Sequence, residues 1–299
     1  MLNFIQIRAA FLKRIRSRFS NSVNKNIRQP AMQQPIPEIL NRCLFPILGV
    51  LLFFGCSKDN TDPGILVDVP TTFNVRMIEH LDSTGRSLSF QVSTIEFRDC
   101  LNETIDYNLF QNQNSVQLSL NEIVAPETCM EGSAPATVSI LLPDLVKYSY
   151  KVQISLKNTI ENNGTLINED TRYRLDMETF NGFQVLNPEL LKVPEHVIWG
   201  SFAFRSEDMA TISQAFFQEL EQLAHSGTFP TGDYGHFYVI SDQNVFILDQ
   251  SPSDLSFRRN FLYYFSGDPA DLTNLLETYR SEYSADIDIL MQDDLGKSW

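Results

Sequence analysis

Between residues 71 and 187 apolar side chains recur at every second position. A helix buries a stripe with a period of 3.6, whereas a strand with one wet face has a period of two. Tyr150, Val152, Ile154 and Leu156 alternate with Lys151, Gln153, Ser155 and Lys157. The same alternation runs through Phe73-Val75-Met77, Val116-Leu118-Leu120 and Tyr173-Leu175-Met177. In "SLSFQVSTIEF" the apolar set is Leu88-Phe90-Val92 and then slips to Ile95-Phe97. A slip of one residue turns side chains to the other face, which predicts a bulge or bend near Ser93-Thr94. Asn163-Gly164 reads as a hairpin turn, because both central residues of a type I′ turn take positive φ.

About seven short strands at this spacing predict an antiparallel β-sandwich over 71–187, Ig-like only in the loose sense. An antibody-type domain carries a tryptophan between its cysteines. Here none lies between Cys100 and Cys129, and the two tryptophans are Trp199 and Trp299.

Pro188 and Pro194 then punctuate a predicted linker, 188–195, and the pattern changes. "HVIWGSFAF" reads as a strand. Ser206 is a candidate helix cap, followed by Glu207 and Asp208 at the positive end of the helix dipole. Met209, Ile212, Phe216, Leu220 and Leu223 form one helical stripe that stops before Gly227. "HFYVI" and "VFIL" flank a turn at Ser241–Asn244, and "NFLYYF" is another strand. Asp268-Pro269 supplies a cap and a first-turn proline for a second helix with the stripe Leu272, Leu275, Leu276, Tyr279 and Tyr283. "DIDILM" closes the chain as a last strand. The order β-α-β-β-(β)-α-β predicts an α+β ferredoxin-like domain over 196–299, with two helices on one face of an antiparallel sheet. That fold hosts many unrelated functions and names none.

The amino-terminal segment bears on location. Leu44 to Phe54 is a short apolar run preceded by Arg42 and ended by Cys56 and a polar stretch. A membrane-crossing helix needs about 20 apolar residues, whereas a signal-peptide core needs about 7–15. Phe53-Phe54-Gly55-Cys56 resembles the lipobox of Bacteroidota-type outer-membrane lipoproteins, although Phe stands at 53 and 54 where that family usually has Leu and then Ala or Ser. The resemblance covers only the region around Cys56. It implies that 1–55 is a signal peptide and that the Cys56 sulfur carries lipid. It also implies that 56–70 tethers the folded part to the outer membrane. Without lipid the run would be a short uncleaved anchor. Met32 would begin a signal of ordinary length, so 1–31 is read as an early mis-assigned start, with an unusually long basic n-region as the alternative. Lys58-Asp59 is similar to a surface-export signal of such lipoproteins, which favours surface display over the periplasmic face.

Residues 1–55 hold 8 basic residues and one acid. Residues 56–299 keep 15 basic and 36 acidic residues. A field of that sign repels nucleic acid and excludes it as a partner. With Cys43 removed and Cys56 lipidated, Cys100 and Cys129 are an even pair in an oxidising compartment. The expectation is a disulfide worth about 3–4 kcal/mol in the chain-entropy model. Two buried thiols are the alternative.

Motifs for chemistry are sparse. The chain has no Gly-x-Ser-x-Gly, no His-Glu-x-x-His, no Walker loop and no Gly-x-Gly-x-x-Gly. His80 ends a strand, His196 opens one, and His225 falls in the last turn of the first helix. His236 follows "TGDYG", where Asp233 and His236 are placed to converge on a ligand as a general base or metal site. Asp286 and Asp288 share one strand face, with Asp293 and Asp294 beyond, as a weak calcium candidate or a solvated edge. Phe261, Tyr263 and Phe265 share one face of their strand and Leu262 and Tyr264 the other. One exposed set would be a surface for protein or glycan. These readings converge on a lipid-anchored, non-enzymatic binding or assembly module without cofactor, whose partner is an envelope protein or glycan. The alternative is a hydrolase or metal-dependent enzyme built on the Asp233/His236 loop.

Overall fold

The alternating segments form strands because each buries one row of side chains against a second sheet. The computed structural model describes residues 71–157, 159–241, 244–248 and 254–299. The expected signal peptide, Cys56 and the tether lie outside the described residues.

The sandwich begins with β1 (Phe73–Asp82), β2 (Gly85–Cys100), β3 (Thr104–Gln111), β4 (Ser115–Val124) and β5 (Glu131–Leu142). It continues with β6 (Ser149–Leu156), β7 (Ile160–Asn168), β8 (Arg172–Met177), β9 (Phe183–Val185) and β10 (Glu189–Leu191). One sheet runs β5-β2-β1-β9 and the other β10-β8-β7-β6-β4-β3. Their inner faces share one core that includes Val75, Met77, Leu88, Phe90, Leu118, Ile154 and Leu175. The rows expected to point inward do so.

Several expectations are corrected. The sandwich is mixed rather than antiparallel: β1 pairs with β9, and β4 with β6, in parallel. Parallel neighbours need a crossover, and β5 supplies the second one from the opposite sheet. Asn163 and Gly164 are not a turn. They sit inside β7, opposite Gln153 and Val152. Glycine is needed there for close approach, since a Cβ on Gly164 would stand 2.6 Å from the Asp176 carbonyl oxygen. β6 instead gives way to β7 between Leu156 and Ile160, with Lys157 at φ 50°. The linker expected at 188–195 contains β10, which pairs with β8 and extends the six-stranded sheet. Leu190 and Val193 are fully buried, and burial outweighs the flanking prolines. By contrast, the irregularity foreseen near Ser93-Thr94 is present, as a register shift of β2 against β5 between Ser93 and Phe97.

The carboxy-terminal part has β11 (Val197–Phe204), a 3-10 turn at Glu207–Met209, α1 (Ala210–Leu223), β12 (Gly232–Asp233) and β13 (Phe237–Ser241). After these come β14 (Asn244–Ile247), β15 (Phe257–Tyr264), α2 (Pro269–Tyr283) and β16 (Ile287–Asp293). The helices and strands foreseen are present, but the strands form two sheets. One is β15-β11-β16 and the other β12-β13-β14. Ile198, Phe202, Phe216, Leu220, Phe261, Leu276 and Ile289 form a core between the first sheet and the helices. His225 is past the helix rather than in its last turn. Ala224 caps α1, and the chain then pairs His225 with Tyr264.

Candidate functional site

All eight residues of β11 are buried. Its even-numbered apolar residues face the helices. Val197 and Trp199 face the other way, into a third cluster with Leu81, Leu191, Val193, Phe229, Tyr234 and Phe237. That cluster draws residues from the sandwich, from the supposed linker and from the second sheet, and polar side chains concentrate around it.

Asp233 and His236 both point at β1. The Arg76 guanidinium lies 3.3 Å from Asp233 Oδ1 and donates to the Gly235 carbonyl at 2.9 Å. Asp233 Oδ1 also accepts from the Gly235 N–H at 2.7 Å, which fixes the glycine loop. His236 Nε2 lies 2.7 Å from the Glu79 carbonyl oxygen. A carbonyl only accepts, so Nε2 carries the proton. The imidazole sits beside the Trp199 ring, with centroids 5.5 Å apart.

Glu79 is the most unusual group in this region. Its side chain has no exposed surface. Oε2 accepts from the Val193 N–H at 2.8 Å and lies 3.9 Å from Arg86. Oε1 has no hydrogen-bond partner among the described residues. Burial pushes the carboxyl above its ordinary range, against the opposing pull of the Val193 N–H and the Arg86 charge. Arg86 in turn donates to the Val193 carbonyl and reaches Asp294 at 3.7 Å. Asn187 works on the same strand: it accepts from Met77 N–H at 2.7 Å and donates to Met77 C=O at 2.8 Å, as a paired strand would.

Beside this cluster lies a cleft of about 530 Å³ lined by Arg86, Thr171, Arg172, Lys192, Pro194 and Tyr234. Its cations are engaged. Arg172 pairs with Glu169 and Glu189, and Lys192 donates to Asn168 while sitting over the Tyr173 ring. Burial pushes the Tyr234 hydroxyl up to about 12. Its O–H donates to the Pro230 carbonyl at 3.0 Å. A second groove, of about 250 Å³, runs along β15 between Phe217 and Val245.

The remaining candidates are dispersed. Cys100 and Cys129 are bonded, S–S 2.00 Å, and join the end of β2 to the segment before β5. Asp286 lies 3.3 Å from Arg205, while the buried Asp293 accepts from the Leu295 and Lys297 backbones. Among the described residues no group of three His, Cys, Asp or Glu side chains gathers as a metal site. The aromatic run of β15 is covered on both faces, Phe261 and Tyr263 by the helix-side core and Leu262 and Tyr264 by the third cluster. Arg76, Glu79 and Asn187 escaped sequence reasoning because each stands in an ordinary strand or loop context. One signal was legible: "VIWGSFAF" has no polar alternation, which marks a strand buried on both faces. No protein-family model, no curated protein and no solved structure matches this chain.

Proposed function

We propose that the chain is a lipid-anchored, non-enzymatic cell-envelope protein that acts as a binding or assembly module at the outer membrane. The lipobox-like "FFGC" supports the anchor, with Cys56 as the lipidated residue and surface display as the favoured orientation. The observation that carries the non-enzymatic reading is the engagement of Asp233 and His236. Both side chains, half-buried, bond to β1 or to their own loop. A general base has to lie within hydrogen-bond reach of a substrate proton. We also read the carboxy-terminal part as a ferredoxin-like variant. The strand order β15-β11-β16 with both helices on one face supports this, although the strand that would complete the sheet beside β15 makes no ladder with it.

Palmitate labelling of growing cells tests the anchor. Wild-type chain should take the label and Cys56→Ala should not. The purified cellular product should begin at Cys56, and an intact residue 1–55 segment would refute the reading. Stoichiometric metal on the purified protein, lost in His236→Ala, would favour the enzyme alternative instead.

A further inference from the structure

Strand β2 outruns its neighbour β1. Phe73 opens β1 opposite Thr94, and past that point β2 pairs with β5 in a two-stranded ribbon that reaches Cys100 and Glu131. The Leu101 N–H donates to the Met130 carbonyl at 2.9 Å and carries the pairing one step further. Successive residues of a strand alternate between faces, and residues directly opposite in an antiparallel pair share one. Phe97, Asp99 and Leu101 therefore lie on one face of the ribbon, with Met130 beside Leu101. Arg98, Cys100 and Asn102 lie on the other. That second face is fastened. The Cys100–Cys129 bond crosses it, and Asn102 accepts from the Met130 N–H and donates to the Thr128 carbonyl, each at 2.9 Å.

The first face is bare. Phe97 is 67% exposed, Met130 58% and Leu101 48%. Leu101 is seated over Gly132, where a Cβ would meet its side chain at 2.6 Å. Single exposed apolar residues are ordinary, but three on one face of a cross-linked ribbon form a patch, and such a patch with a polar rim marks an interaction surface. The cross-link holds the patch in place before any partner arrives, so little further order is lost on docking. Charge narrows the partner. Residues 95–104 and 124–135 carry five acids, Glu96, Asp99, Glu103, Glu127 and Glu131, and one base, Arg98. Arg98 is taken up by Glu103 at 2.7 Å. The remaining carboxylates leave the rim negative.

A negative rim repels anionic lipid headgroups and attracts lysine and arginine. Leucine and methionine offer a sugar no hydrogen bond, whereas they accept apolar side chains of a polypeptide. We propose that this tip of the sandwich docks a basic polypeptide segment of a partner protein, with the segment's apolar side chains on Phe97, Leu101 and Met130 and its lysine or arginine residues against the acidic rim. This rests on the binding-module reading and specifies the chemistry of its partner.

The test uses the full chain in detergent, panned against a phage-displayed random dodecapeptide library, with enriched peptides synthesised and measured by fluorescence anisotropy. These peptides should combine apolar residues with an excess of lysine and arginine over acids. Phe97→Ser and Asp99→Lys should each bind them about tenfold more weakly. Val146→Ser removes a side chain that is 84% exposed past the opposite end of β5, and should bind as wild type does. Raising salt from about 0.15 M to about 1 M should weaken wild type more than Asp99→Lys. The substituted side chains are exposed, and thermal midpoints equal to wild type check that the variants fold. Failure to enrich any peptide, or peptides without a basic excess, overturns the proposal. So does dimerisation of the chain that Phe97→Ser abolishes, which would give the patch to a second copy. Co-sedimentation of the unlipidated Cys56→Ala chain with phosphatidylethanolamine vesicles, lost on adding Phe97→Ser, would give it to a lipid surface and equally overturns the proposal. Peptides that bind Phe97→Ser as tightly as wild type overturn this surface and leave the binding-module reading standing, whereas absent palmitate labelling strikes the anchored module itself.

Discussion

Glu79 shows how much a single side chain depends on what packs over it. In the strand "FNVRMIEHLD" it falls in the alternating inward row of Phe73, Val75, Met77 and Leu81, an acid where the pattern calls for an apolar residue. The third cluster packs beside it, so the carboxyl is wholly buried and burial holds it above its ordinary range. The sign of the pH effect follows. The folded value lies above the unfolded value of 4.5, so the folded chain binds this proton more tightly. The group's stabilising contribution is complete below pH 4.5 and is lost as pH rises through the folded value. Glu79→Gln does not titrate, and its amide oxygen still accepts from Val193 N–H. Its stability relative to wild type should therefore rise between pH 4.5 and 7 in urea melts at stepped pH. A difference that stays flat would place the folded value at the unfolded one.

At the scale of the element, the two helices answer differently to similar starts. Asp268 accepts from the Ala270 N–H at 2.9 Å and precedes Pro269 at the first helical position. Ser206 makes no capping bond, and a 3-10 turn separates it from α1. Asp268→Ala should cost about 1 kcal/mol, the usual value of a lost cap. Ser206→Ala should fall within about 0.5 kcal/mol of wild type. Thermal melts of the two variants compare them directly, and an equal loss would contradict the geometry. The strands teach a related lesson. Period two placed Val116-Leu118-Leu120 and Tyr150-Val152-Ile154 inward, because alternation is a local property. Asn163-Gly164 misled because a glycine that permits a turn also permits close strand contact. Only the neighbouring β8 decides which use applies.

Across the whole molecule, the sandwich and the carboxy-terminal part share a core. Leu81 and Leu191 from one side meet Trp199 and Phe237 from the other, and Arg76 and Arg86 bridge the same boundary. Buried apolar contact of this kind couples unfolding. Both tryptophans lie in the carboxy-terminal part, so their fluorescence reports it, while far-ultraviolet circular dichroism is weighted to the larger sandwich. The two signals should melt at one midpoint, and separate midpoints would show that the junction does not couple the halves.

Residue order alone determined the kind of most elements: strands where apolar residues alternate, helices where stripes recur at three and four, caps where Asp meets Pro. These signals act within a few residues and survive in one dimension. The bonded cysteine pair also was legible as an even count. What covers each face was decided only in three dimensions. The Asp233/His236 pair became part of a junction with β1, the linker became β10, and the aromatic strand lost both of its exposed faces. Each of those outcomes depends on partners more than 15 residues away in sequence, such as Arg76 and Asp233 at a separation of 157. A local period determines which side of a strand is oily, and only the assembled fold determines what that side meets.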